Sequence, residues 1–117
     1  MKLTINEVPL SKNEYVNQHW SKRAKYKEYI AWLIFEQKLN YAGNTYEKAE
    51  LTFDIYFKHN RRRDISNYLG GGLIAWLDVL VDQQIIADDS YDCIRQPQVT
   101  FNIDKDNPRT EITIKKR

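Results

Sequence analysis

The feature that most constrains this chain is a change of period in its middle. Residues 49–58 alternate, with Leu51, Phe53, Ile55 and Phe57 on one side and Thr52, Asp54, Tyr56 and Lys58 on the other. Alternation of that kind marks a strand with one buried face. After the polar connection His59-Asn60-Arg61-Arg62-Arg63, apolar residues recur at three-to-four spacing instead: Ile65, Tyr68, Leu69, Leu73, Trp76, Leu77 and Leu80. These fall on one face of a helix, whose first turn Asp64 is placed to cap.

The flanks repeat both periods. Leu3, Ile5 and Val8 alternate up to Pro9, as in a first strand over residues 2–8. The segment that follows begins as a loop, and a helix takes over from about Ser21. There Tyr26, Tyr29, Ile30, Trp32, Leu33, Ile34 and Leu39 form a stripe that no Pro or Gly interrupts before Gly43. Near the end, residues 91–103 and 109–115 read as two strands, with Val99, Phe101 and Ile103 against Ile112 and Ile114. Asp104 to Pro108 has the composition of a hairpin loop. The predicted architecture is α+β, a small mixed sheet with two long helices in the order β-α-β-α-β-β. With 117 residues and 42% hydrophobic side chains, residues 1–117 are expected to form a single domain.

Gly70-Gly71-Gly72 interrupts the second helical pattern, and each glycine in a helix interior costs about 1 kcal/mol relative to Ala. Two accounts are open: close approach of another backbone or of nucleic acid, and a break between two shorter helices.

Cys93 is the only cysteine. That excludes an intrachain disulfide framework and a multi-cysteine zinc site, and it suits a reducing, cytoplasmic setting. Cys93 itself reads as a strand residue. The opening residues lack the unbroken apolar core of a signal peptide. No apolar run approaches the roughly 20 residues that span a bilayer, so no membrane partner is expected.

Net charge is only +2, but its distribution is uneven. Lys22, Arg23, Lys25 and Lys27 crowd one segment, Arg61, Arg62 and Arg63 another, and Lys115, Lys116 and Arg117 a third, while acidic residues concentrate between Asp78 and Asp106. Separate basic patches and an acidic pocket suit a molecule that grips a polyanion and keeps carboxylates for a metal.

Phosphodiester hydrolysis needs an activated water and an offset for charge growing on the phosphate, both of which Mg²⁺ supplies. Mg²⁺ takes oxygen ligands, keeps several waters and needs few carboxylates. Asp64, directly after three arginines, and Asp88-Asp89, after the apolar Ile85-Ile86, are the candidates, on the expectation that the start of the second helix and the acidic turn meet around one ion. Asp78 lies fourteen residues further along the same predicted helix, roughly 21 Å from Asp64 at about 1.5 Å per residue, and reads as structural. Tyr15, His19 and Trp20 either anchor the early loop or stack on unpaired bases.

The run Arg61-Arg62-Arg63-Asp64-Ile65-Ser66-Asn67, the helix ending near Trp76-Leu77-Asp78, and Ile85-Ile86-Ala87-Asp88-Asp89-Ser90 together resemble the RusA family of Holliday-junction resolvases. That pattern has basic residues, then Asp-x-Asp-Asn opening a helix with Asp-Ala-Leu, then an apolar pair and Asp-Asp. Pro9-Leu10-Ser11-Lys12-Asn13 is similar to the family's early Pro-Pro-Ser-x-Asn segment. The resemblance implies a homodimer that resolves four-way DNA junctions in recombination and repair by metal-dependent cleavage, in a family often carried by phages and prophages. It implies Asp64, Asp88 and Asp89 as catalytic and metal-holding residues, with Mg²⁺ or Mn²⁺ as the ion, Ser66 as a further ligand and Asn67 in support. Arg61, Arg62, Arg63, Lys22, Arg23, Lys25 and Lys27 would contact phosphates. The chain departs from the pattern twice: Ser66 stands where the family often has a second aspartate, and no lysine lies between Asp64 and Asp104, where the resolvases place one a turn into the helix. The first departure removes a negative charge from the ion's surroundings and the second a cation that offsets transition-state charge. A catalytically weak or inactive DNA-binding module on the same fold is therefore the alternative reading.

Overall fold

The computed structural model describes residues 1–117. They form an α+β fold in which a mixed four-stranded sheet carries five helices. In chain order the elements are β1 (Lys2–Ile5), α1 (Lys12–Val16), α2 (Trp20–Lys38), β2 (Ala49–Phe57), α3 (Ile65–Leu69), α4 (Gly72–Asp82), α5 (Tyr91–Ile94), β3 (Gln98–Ile103) and β4 (Arg109–Lys116). The sheet order is β1-β4-β2-β3, with β4 antiparallel to both β1 and β2, and β3 parallel to β2.

The alternation read from the sequence decides the layers. Ala49, Leu51, Phe53, Ile55 and Phe57 of β2 are all buried, and Ile112 and Ile114 of β4 and Leu3 and Ile5 of β1 share their face. On them lie Ile30 and Ile34 of α2 and Leu73, Ala75, Trp76, Val79 and Leu80 of α4, so one core joins the helical layer to one side of the sheet. The opposite side carries Glu50, Thr52, Asp54 and Tyr56 from β2 and Arg109, Glu111, Thr113 and Lys115 from β4, with no helix over it.

The last two strands differ from expectation. Tyr91–Ile94, Cys93 among them, is helical, and β3 and β4 do not form a hairpin: they flank β2 on opposite sides. Asp104 turns the chain around the end of β2. Its amide donates to the Phe57 carbonyl at 2.9 Å, while its side chain accepts from the amides of Asp106 at 3.3 Å and Asn107 at 3.1 Å. Such local turn chemistry serves a crossover as well as a hairpin. Between β2 and its parallel neighbour β3 the chain returns through α3, α4 and α5, the helix-containing crossover that parallel strands require.

The second helical pattern is two helices rather than one, and both accounts of the glycines hold. The backbone breaks at Gly70-Gly71, and residues 10–12 pack directly against the break. A Cβ on Gly71 would sit 2.5 Å from the Lys12 amide nitrogen and 2.7 Å from the Ser11 carbonyl carbon, and one on Gly72 2.6 Å from the Leu10 nitrogen. The Gly72 amide donates to the Leu10 carbonyl at 2.8 Å. Beside it the hydroxyl of half-buried Tyr26 accepts from Trp76 Nε1 at 2.7 Å and from the Leu10 amide at 3.4 Å, and loss of solvent around it holds that phenol above its ordinary range. Residues expected to be loop thus contain α1, opened by a capping box in which Ser11 and Glu14 satisfy each other's amides.

Gly71→Ala is predicted to destabilise the fold by about 1–3 kcal/mol or more, because the obstruction is backbone that cannot swing aside. Gly43→Ala, where a Cβ would meet nothing within 4 Å, should stay within about 0.5 kcal/mol of the parent. Urea unfolding midpoints for the two variants check the contrast.

Candidate functional site

Asp64 occupies the N-cap position of α3 with extended backbone, yet its side chain makes no capping hydrogen bond. It stays largely exposed and lies 3.7 Å from Nη2 of Arg62. It is one wall of a cleft of about 370 Å³ lined by Ser11, Glu14, Arg61, Arg62, Arg63, Asp64, Asn67 and Tyr68. The cleft exists because the glycine break lets α3 lie against α1. Tyr68 anchors it from below, its ring 5.4 Å from Phe57 and 5.3 Å from Phe101.

The three arginines differ. Arg63 lays its guanidinium over the Phe57 ring at 3.8 Å and donates to the Arg61 carbonyl at 3.1 Å, which pins the loop after β2. Arg61 and Arg62 are exposed. Ser66 is exposed in the first turn of α3, and Asn67 is half-buried in the cleft.

On α2, Lys22 and Lys25 are exposed, Arg23 sits 5.9 Å above the Tyr15 ring, and Lys27 pairs with Asp82 at 3.1 Å and Asp78 at 3.9 Å. Tyr15 packs against the core and edge-on to Tyr26 at 6.3 Å. His19 caps α2 by accepting from the Ser21 amide, and Trp20 projects into solvent, 69% exposed. Of the three aromatics, Trp20 alone is free to stack on an unpaired base.

Asp88 and Asp89 are exposed in the connection between α4 and α5 and take no hydrogen bond or ion pair. Their place is fixed by the preceding residues: Ile86 bridges Tyr46 in parallel, and the Ala87 amide donates to the Tyr46 carbonyl at 2.9 Å. Tyr46 leads into the first residue of β2, whereas Asp64 follows the last. The nine residues of β2 extend roughly 30 Å at about 3.3 Å each. Within one chain, therefore, Asp64 and Asp88-Asp89 sit at opposite ends of the sheet rather than around one ion, and no group of three or more His, Cys, Asp or Glu is arranged to hold a metal. The reason is the crossover itself: a helix returning from the end of one parallel strand to the start of the next sets its two connecting loops at opposite ends.

Three features escaped the sequence reading. Glu14 is a second carboxylate in the Asp64 cleft, though in the sequence its spacing from Ser11 signals only a capping box. Lys12 lays its side chain along α3, its Cδ 3.7 Å from where a Gly70 Cβ would be, so a lysine stands beside the helix that lacks one. At the other end, near the acidic pair, a groove of about 760 Å³ is rimmed by Lys48, Lys116 and Arg117.

The open face of the sheet carries a separate charged cluster. Glu111 accepts from Lys2 at 2.6 Å and from Arg109 at 2.8 Å, and Arg109 also donates to Asp104 at 2.8 Å while stacking 3.9 Å over Tyr56. The Lys2 ammonium, followed by Arg109, holds the Glu111 carboxyl below the usual carboxylate range, and the Arg109 guanidinium does the same for Asp104. Compared with known proteins, the chain matches no family model and no curated protein.

Because folding lowers the Glu111 and Asp104 pKa values, their stabilisation is full above the ordinary carboxylate pKa. It is lost as pH falls through the lower native values. Glu111→Gln is predicted to destabilise the fold at neutral pH by about 1–3 kcal/mol. It should also flatten the loss of stability on acidification, which thermal melts across an acidic pH series measure.

Proposed function

We propose that this protein is a Mg²⁺-dependent, structure-selective DNA endonuclease of the RusA type that acts on four-way junctions as a homodimer. The observation that carries the reading is the Asp64 cleft: an exposed carboxylate at the head of a helix, uncommitted to capping, among three arginines. Acceptor oxygens for a hard cation stand beside donors for phosphate. Asn67 and Glu14 add oxygen ligands of the kind Mg²⁺ prefers, while Ser66, exposed in the first turn of α3, lies outside the lining of the cleft. Arg61, Arg62, Lys22 and Lys25 are exposed cations that can hold phosphates, while Arg63 braces the loop and Lys27 is largely neutralised by Asp78 and Asp82.

The ion, when bound, would lower the pKa of a coordinated water and offset charge on the phosphate. The residues of the chain position the strand, exclude competing water and orient the scissile phosphate against Asp64. Since one chain sets Asp88-Asp89 far from this cleft, the complete set of carboxylates requires a second copy, which would present its acidic pair to the first. A four-way junction has two equivalent scissile phosphates, which a two-fold pair of such sites matches.

The second reading, a DNA-binding module without cleavage, is favoured by Ser66 in place of an aspartate. Lys12 bears against it, because it restores a cation beside α3. A labelled four-way junction incubated with the purified protein separates the two. Under the nuclease reading, Mg²⁺ or Mn²⁺ yields paired cuts, and Asp64→Asn lowers their rate by more than the roughly 10–100-fold that loss of an outer-shell partner costs. Arg61→Ala and Arg62→Ala should weaken binding and each reduce the salt dependence by about one phosphate contact. Tight, salt-sensitive binding without cleavage at any metal concentration would establish the second reading.

A further inference from the structure

The connection from β2 to α3 walls a second depression as well as the Asp64 cleft. Arg61 and Arg63 line both, so this stretch of chain is a ridge between two concavities at one end of the sheet. The second, of about 260 Å³, lies where β1 and β2 end and β4 begins, with Lys58 and His59 on one wall and residues 6–8 on the other. Two contacts fix its walls. The Arg63 guanidinium lies 3.8 Å over the Phe57 ring, and the Thr110 hydroxyl donates to the Glu7 carbonyl at 2.7 Å.

The chemistry of this depression is one-sided. Lys58, His59 and Arg61 are exposed, and their side chains take no hydrogen bond or ion pair. The backbone amides of residues 58–61 likewise bond to nothing in the chain. Acceptors are few and engaged: the one carboxylate, Glu7, accepts from the Tyr29 hydroxyl at 2.7 Å, and the Arg61 carbonyl accepts from Arg63 at 3.1 Å. Free donors and positive charge without free acceptors make a place for an anion. An anion that satisfies an ammonium, an imidazole N–H and a guanidinium together needs several oxygens, as phosphate has.

We propose that this depression is a second phosphate subsite, in which Lys58, His59 and Arg61 hold a phosphodiester close along the strand to the one in the Asp64 cleft. The spacing follows from the chain. Arg61, which reaches both concavities, is three residues from Asp64, at most about 11 Å along an extended backbone. A DNA strand advances about 3.4 Å per phosphate, so the two phosphates lie one to three nucleotides apart on one strand. A strand laid over the ridge is gripped at two points, which fixes its direction and register against Asp64; a single phosphate contact fixes neither. That the anion belongs to DNA rests on the function proposed above, whereas the anion site stands on its own lining.

Two measurements on the full chain test the subsite, each comparing the parent with a Lys58→Ala, His59→Ala double variant. Both side chains are exposed and unbonded, so the variant should melt with the parent. In the first, inorganic pyrophosphate is titrated without metal while the amide resonances of residues 58–61 are followed. The parent should show saturable shifts and the variant none. In the second, methylphosphonate replaces one phosphate at a time in a labelled four-way junction. At one position, one to three nucleotides from any cut, the replacement should weaken binding by the parent about tenfold and leave the variant unaffected. The variant should also lose about one phosphate contact from its salt dependence. Absence of saturable shifts in the parent, or replacements that weaken parent and variant alike at every position, would overturn the proposal. Shifts and coupling in a protein that cuts no DNA would keep the subsite and remove the nuclease reading; cleavage with no coupled phosphate would do the reverse.

Discussion

The seat of residues 10–12 on the Gly71-Gly72 backbone is the contact on which the rest of the site depends. It requires two positions without a Cβ and is held by the bond from the Gly72 amide to the Leu10 carbonyl. With a side chain there, the segment before α1 could not reach the helix break, Ser11 and Glu14 would not face Asp64, and α3 would continue straight into α4. The glycines that weaken helix propensity thus create the cleft, and the knot of Tyr26, Trp76 and Leu10 beneath them ties it to the core.

The periods of the sequence gave away the layers but not the neighbours. Alternation in β2 and the stripes of α2 and α4 were legible because each reports which side of an element is buried, a property carried by that element alone. Which strand lies beside which depends on distant segments. Asp104 to Pro108 has the same turn chemistry whether β4 pairs with β3 or inserts on the far side of β2. Likewise Gly70-Gly71-Gly72 signalled an interruption without saying what would approach it, and Cys93 fell in a short helix that has too few residues to show a period.

Candidate residues were legible by type and less so by place. Asp64 and the arginines around it share a cleft because they are adjacent in sequence at the turn from strand to helix. Asp88-Asp89 lies on the opposite connection of the same crossover, and β2 acts as a ruler that keeps the two carboxylate groups apart within a chain. Lys12 and Glu14 came to the cleft from a remote segment, so no local pattern could announce them.

The central claim is that cleavage needs Asp64 from one copy and the acidic pair from another. The most direct measurement mixes two variants, Asp64→Asn and Asp89→Asn, each inactive on a labelled four-way junction. After the subunits exchange, the mixed dimer holds one site with both substitutions and one with neither. The account therefore predicts that activity returns, as a single cut per mixed dimer. If the mixture remains as inactive as its components while co-purification of differently tagged subunits shows that mixed dimers have formed, the shared site is contradicted.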